Sequence, residues 1–241
     1  MEKTRYLLLE NGTVFKGKAF GAEGDVTGEV VFTTSMTGYL ETLTDPSYYG
    51  YIVCQTFPLI GNYGVIPEDF ESRRPFVKGY IVREWCQEPS NFRNQGDLDT
   101  FLREQNIPAL YGIDTRALTK IVRENGVMNG KILSELPADM DAALEELKQY
   151  EIVDSVANTS CTEPQELPHT AAPADGGASP KVVLIDVGSK FSISRELRKR
   201  GCDVTLVPYN TKASEILAMK PDGIMISNGP GVPAENVDVI K

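Results

Sequence analysis

From residue 181 to residue 227 the chain alternates strand-like and helix-like segments, and this alternation constrains the fold more than any other feature. Residues 181–185, KVVLI, are a compact apolar run rich in β-branched side chains, as a buried strand requires. Residues 189–200 carry Ile193 and Leu197 on one helical face, and Gly201 closes the helix. Residues 203–208 read as a second strand, 213–220 as a short helix stopped before Pro221, and 223–227 as a third strand. A β-α-β-α-β order with right-handed crossovers builds a parallel, doubly wound α/β sheet. Three strands are written by Lys241, and open sheets of this class generally hold more, so residues 181–241 are expected to form an incomplete domain.

Upstream the pattern changes. Residues 154–180, DSVANTSCTEPQELPHTAAPADGGASP, are rich in Pro, Ala, Gly, Ser and Thr, a composition that buries little apolar surface and predicts a linker. Residues 1–153 predict a mixed β/α domain with much sheet. Asn11-Gly12, between runs at 6–9 and 13–20, is a hairpin signal. Residues 29–34, 51–57 and 79–83 are β-branched or aromatic runs bounded by Gly and Pro. Helices are predicted over 97–105, over a segment capped by Asp114 and closed near Gly126, and over 138–150.

Acidic side chains outnumber basic ones, 34 to 24, which argues against a nucleic-acid partner because phosphate binding needs a basic surface. Cys54, Cys86, Cys161 and Cys202 are far apart and form no C-x-x-C pair. They read as reduced core residues rather than a disulfide framework or a metal site. The apolar run at 6–9 is too short for a signal peptide, and no stretch approaches membrane-spanning length. The expectation is a cytoplasmic protein with no membrane partner.

Three segments can carry chemistry. Asn228-Gly229-Pro230-Gly231-Val232-Pro233 follows the third strand, and ligands of open parallel sheets bind beyond the carboxyl ends of the strands. Two glycines let backbone N–H groups approach a ligand, and two prolines stiffen the loop, which suits an anion or a developing oxyanion. A plain strand-to-helix turn has the same composition, and spacing does not separate the two readings. The Gly-Lys-Ser or Gly-Lys-Thr of a phosphate-binding loop is missing. The strings at 35–39 and 44–48 fit either a polar recognition loop or turn chemistry, and Asp45, Pro46 and Ser47 favour the turn. Asp186-Val187-Gly188-Ser189-Lys190 opens a helix whose N-terminus attracts anions, though simple helix entry with Ser189 as cap is the better reading. His169, the sole histidine, falls in the predicted linker and reads as solvated.

The strings Ser35-Met36-Thr37-Gly38-Tyr39, Leu43-Thr44-Asp45-Pro46-Ser47-Tyr48, Phe57-Pro58-Leu59-Ile60-Gly61-Asn62-Tyr63-Gly64, Ser90-Asn91-Phe92-Arg93 and Gly112-Ile113-Asp114-Thr115-Arg116-Ala117-Leu118-Thr119 resemble the small, glutamine-using subunit of carbamoyl phosphate synthetase. Asn129-Gly130, the set Asp186, Gly188, Lys190, Ile193 and Arg195, and the loop from Asn228 to Gly231 are similar to that family as well. The resemblance runs from the first strand to the last residue.

It implies a glutaminase that releases ammonia from glutamine through a Cys-His-Glu arrangement. The ammonia passes to a large partner subunit that uses ATP and magnesium to make carbamoyl phosphate for arginine and pyrimidine synthesis. By the same resemblance Ser47 contacts the bound glutamine, and Gly229 and Gly231 hold it and help form the oxyanion hole. The family's nucleophile lies in a Gly-x-Cys-x-Gly elbow, which these 241 residues do not contain, so no catalytic residue, resident cofactor or metal is assigned within them and glutaminase inactivity is expected. Val232 stands where the family carries Asp or Asn, and valine cannot cap the following helix. Two other readings stay open: a non-catalytic docking module for the large subunit, and an unrelated α/β phosphate binder. An incomplete sheet exposes a strand edge, so residues 181–241 should be less protected from hydrogen exchange than residues 1–153. Equal protection of the two regions in a verified monomer would contradict this.

Overall fold

A computed structural model describes residues 3–174 and 176–231, and the protein is α/β, with two compact units. The expectations for Val232 and Pro233 fall outside the described residues.

The first unit comprises Met1–Thr44, Gly50–Phe70 and Arg74–Ile152. Seven strands, β1 (Thr4–Leu9), β2 (Val14–Gly21), β3 (Val26–Thr33), β4 (Tyr51–Ile60), β5 (Gly79–Trp85), β6 (Pro108–Tyr111) and β7 (Met128–Leu133), close into a barrel in the order β1-β2-β6-β5-β4-β3-β7. The run β3-β4-β5-β6 is parallel, and the remaining pairings are antiparallel. Closure pairs every strand on both sides and leaves no edge to solvent. The hairpin β1–β2 turns at Gly12, whose φ of 84° is left-handed, while Asn11 Oδ1 accepts the Thr13 N–H at 3.0 Å.

Helices α1 (Tyr39–Thr44), α2 (Leu98–Glu104), α3 (Thr115–Asn125) and α4 (Met140–Lys148) complete the unit. Asp97, Asp114 and Asp139 each cap a helix by accepting a backbone N–H, from Thr100, Ala117 and Ala142 respectively. Leu118 and Val122 of α3 pack with Leu7, Val30, Cys54, Ile81 and Ile132 in one buried cluster. Strands β6 and β7 are not apparent from periodicity. β6 is four residues long, and β7 carries Asn129-Gly130 in its middle, a pair that reads as a turn signal.

The second unit comprises Asp45–Tyr49, Glu71–Arg73 and Val153–Lys241. It holds α5 (Ser155–Thr159), β8 (Gln165–Leu167), β9 (Lys181–Asp186), α6 (Phe191–Lys199), β10 (Asp203–Pro208), α7 (Ala213–Ala218) and β11 (Gly223–Ile226). The sheet order is β11-β9-β10-β8, with β9 parallel to both β10 and β11, as the alternation predicts. The stretch read as a linker contributes a helix and an antiparallel strand, with Leu167 facing Val204. Its Cys161 is buried with Leu184, Val204 and Leu206. Few apolar residues suffice here because long-range hydrogen bonds hold the segment, among them the Cys161 N–H donated to Asp186 at 2.7 Å. His169 is held too: its Nδ1 lies 2.8 Å and its backbone N 3.0 Å from Asp203 Oδ1. These bonds keep the Asp203 carboxyl below its ordinary pKa. On β11, Ile224 and Ile226 remain more than half exposed.

Asn129 shows what the Asn-Gly pair does in this barrel. Its amide donates to the carbonyls of Leu147 (2.8 Å) and Tyr150 (3.0 Å), satisfying the C-terminal end of α4, and its backbone N–H bonds Glu10 Oε2. Asn129→Ala removes two largely buried bonds and should cost about 2 kcal/mol, read as a lower urea midpoint with unchanged slope.

Candidate functional site

In the second unit, β9 and β11 are adjacent parallel strands, and the loops after their carboxyl ends meet. The reason is glycine at both crossing points. A Cβ on Gly229 would lie 1.8 Å from the Val187 carbonyl oxygen, so only glycine fits there. Gly188 adopts φ of 107°, and a Cβ on it would meet Pro230 Cδ at 2.6 Å and Gly229 Cα at 3.2 Å. Gly231 is left-handed as well, with φ of 80°. Ser227 ties the loops together: its Oγ accepts the Val187 N–H at 3.1 Å and donates to the Asn228 carbonyl at 2.6 Å.

Asp186, at the end of β9, is 5% exposed and accepts three main-chain N–H groups, from Cys161 (2.7 Å), Gly188 (3.0 Å) and Ser189 (2.7 Å). Helix α6 begins without the predicted Ser189 cap, and the cap position, Lys190, makes no side-chain cap bond. Glu71, 121 residues away from Ser192, does the work instead. Its carbonyl accepts the Phe191 N–H at 2.7 Å, its Oε2 accepts the Ser192 N–H at 2.8 Å, and Oε1 lies 3.5 Å from Arg195 NH2. A helix N-terminus attracts an anion, and here the chain supplies its own. No pattern near residue 190 reveals a cap that arrives from so far away.

Ser47 lies in a 3₁₀ turn, Pro46–Tyr48, whose N-cap is Asp45: Asp45 Oδ1 accepts the Ser47 N–H at 2.9 Å. The turn reading of 44–48 is therefore right, and the turn also aims a side chain. Ser47 Oγ accepts from Asn228 Nδ2 at 2.9 Å. Asp45 Oδ2 lies 3.6 Å from Lys190 Nζ. Both β-strand loops thus hold the turn, one at Ser47 and one at Asp45. An accepted bond at Oγ orients the hydroxyl so that its own proton can be donated to a ligand oxygen. Pro46, Asp186, Ser189, Lys190 and Arg195 also line a cavity of about 400 Å³.

Of the residues singled out from sequence, the structure brings Ser47, Asn228, Gly229 and Lys190 into one constellation within this unit. Asp45 and Glu71 join them; Asp45 reads from sequence as a turn residue, and Glu71 escapes sequence reading because its partners are distant. In the string at 35–39, Gly38 and Tyr39 are packing elements of the first unit, while Ser35, Met36 and Thr37 are exposed. Tyr39 stacks on Tyr63 with ring centroids 4.2 Å apart, and the Gly38 N–H donates to Tyr63 Oη at 2.9 Å. Burial pushes the Tyr39 phenol far above its ordinary range. The Cys54 and Cys161 thiols are buried and pushed up to about 12, mainly by desolvation. Neither is poised as a thiolate.

The fold and the loop after β11 define a class of protein: residues 183–241 match the family model described as glutamine amidotransferase class-I. Residues 7–132 match the model described as carbamoyl-phosphate synthase small chain, CPSase domain. The chain belongs to the carbamoyl-phosphate synthase small chain family. A carbamoyl phosphate synthase small chain of Listeria innocua is 53% identical over 238 residues, covering 98% of this chain and 63% of the relative. Those of Bacillus thuringiensis and Fusobacterium nucleatum are 51% and 50% identical, over 62% and 65% of their own lengths. This chain therefore spans somewhat under two thirds of the relatives it matches. Among the described residues no helix is long and apolar enough to cross a membrane.

Gly229→Ala has no room for its methyl group against the Val187 carbonyl. It should displace the loop and break the Asn228–Ser47 bond, seen as faster exchange of the Ser47 amide and new chemical shifts at Gly188 and Gly231.

Proposed function

We propose that this chain provides the glutamine-handling elements of a carbamoyl phosphate synthase small subunit. Ser47 and the backbone of Gly229 and Gly231 contact the glutamine. The observation that carries the reading is the bond between Ser47 Oγ and Asn228 Nδ2, which fixes a hydroxyl donor beside a glycine loop at the carboxyl ends of two parallel strands. The loop's stiff backbone suits the oxygen of a reacting amide, where negative charge develops. In this reading the whole subunit cleaves glutamine with a Cys-His-Glu set. Its ammonia goes to a large subunit, the partner in a heterodimer, which binds ATP and magnesium and makes carbamoyl phosphate for arginine and pyrimidine synthesis in the cytoplasm.

The 241 residues contain no Gly-x-Cys-x-Gly elbow, and the buried Cys54 and Cys161 thiols resist ionisation. The 241-residue polypeptide should bind glutamine without hydrolysing it. Titration with glutamine should shift the amide resonances of Ser47, Gly229 and Gly231. Ser47→Ala should weaken binding about fivefold, the equivalent of roughly 1 kcal/mol for one hydrogen bond. Release of ammonia by the pure polypeptide, or a titration that moves none of these resonances, would overturn the proposal.

A further inference from the structure

Phe191, Ser194, Arg195 and Arg198 recur at three- and four-residue spacing on α6 and so share one face of the helix. That face forms a wall of the cavity of about 400 Å³, which lies wholly within the second unit. Small-molecule sites begin at roughly 300 Å³. Leu167 and Leu206 supply an apolar wall, Arg73 enters from the segment before β5, and Lys190 stands at the start of the helix.

Four cationic side chains, Arg73, Lys190, Arg195 and Arg198, therefore meet on one cavity of a chain whose net charge is −10. Among the described lining residues Asp186 is the one carboxylate, and it already accepts three main-chain N–H groups. Asp45 lies 3.6 Å from Lys190, and Glu71 lies 3.5 Å from Arg195 while also accepting the Ser192 N–H. Arg73 NH1 donates to the Thr159 carbonyl at 3.3 Å, and Arg198 Nε donates to the Pro168 carbonyl at 2.7 Å. A carbonyl orients a guanidinium without cancelling its charge. Among the described residues Arg198 pairs with no carboxylate. The Cys161 thiol, pushed up to about 12 chiefly by burial, is uncharged and does not repel an anion.

We propose that this cavity binds a small organic phosphate, with its phosphoryl group among Arg73, Arg195 and Arg198 and its organic body against Phe191, Leu167 and Leu206. Guanidinium groups recognise phosphate oxygens through paired N–H donors, and three of them on one cavity suit a group with several equivalent oxygens. The apolar walls strengthen the attraction, because charges beside low-dielectric surface are poorly screened. Ser47, Gly229 and Gly231 do not line the cavity, so the site is separate from the glutamine site proposed above and does not depend on it.

The test is titration of the 241-residue polypeptide with phenyl phosphate, followed through amide chemical shifts. Thr159, Ser194 and Arg195 should shift, and added sodium chloride should weaken the binding. Arg198→Gln should weaken it about tenfold, because a charge-assisted contact is lost. Arg198→Lys, which keeps the charge without the fork, should recover part of the loss. Arg123→Gln, on α3 of the first unit, should bind as the parent does. Unchanged resonances away from the cavity in the same spectra establish that the variants fold. Phenyl phosphate that moves none of these amides, or that binds Arg198→Gln as tightly as the parent, would overturn the proposal. Inorganic phosphate binding as tightly as phenyl phosphate would show an adventitious ion only and overturn it too. A glutamine titration that leaves the Ser47 amide unmoved would overturn the glutamine reading and leave this site standing.

Discussion

A buried carboxylate organises the second unit. Asp186 stands at the end of β9, where the chain must turn sharply. By accepting N–H groups from Gly188 and Ser189 it sets that turn, and by accepting the Cys161 N–H it anchors the segment before β8. Charge-assisted bonds of this kind are stronger than neutral ones. They also fully engage a charge that would be costly to bury alone. The turn brings Gly188 against Gly229, and that approach sets the loop after β11. Asn228 can then reach Ser47, and Lys190 can reach Asp45. Remove the carboxylate and each later step loses its support.

The first unit answers a different constraint. A seven-stranded barrel has no edges, so β1 must meet β7 across most of the unit's sequence. Asn129 settles the fit at that seam by serving three neighbours: Glu10 and the carbonyls of Leu147 and Tyr150. Tyr39 and Tyr63 do similar work between α1 and the segment after β4. Motifs that look functional in the sequence can therefore be structural. Phe92 is the opposite case, since its ring is 96% exposed while Asn91 beside it accepts the Arg93 and Asn94 N–H groups.

How much was legible depended on the range of the interactions. The strands 203–208 and 181–185, the helices capped by Asp97 and Asp114, and the hairpin at Asn11-Gly12 rest on neighbours within a few residues. They read correctly from pattern alone. The helix entry at 189 did not, because Glu71 replaces a local cap with a distant one. The stretch 154–180 did not, because composition counts apolar residues and ignores the hydrogen bonds that fix Cys161, His169 and β8. Of the candidate site, the glycine loop was legible from its place beyond the third strand, whereas Ser47 came only from a resemblance to known motifs. Physical reading of Ser47 alone gave a turn.

The sequence by itself determined the α/β class of the second unit, since alternating strand and helix periods require parallel strands joined by helical crossovers. It also determined where glycine and proline punctuate the loops, because backbone sterics act locally. Tertiary structure alone decided the closure of the barrel, the cap on α6 and the meeting of Ser47 with Asn228, 181 residues apart. Those outcomes depend on side chains that come together only after the chain has folded, and the strength of a hydrogen bond between distant residues leaves no periodic mark in the sequence.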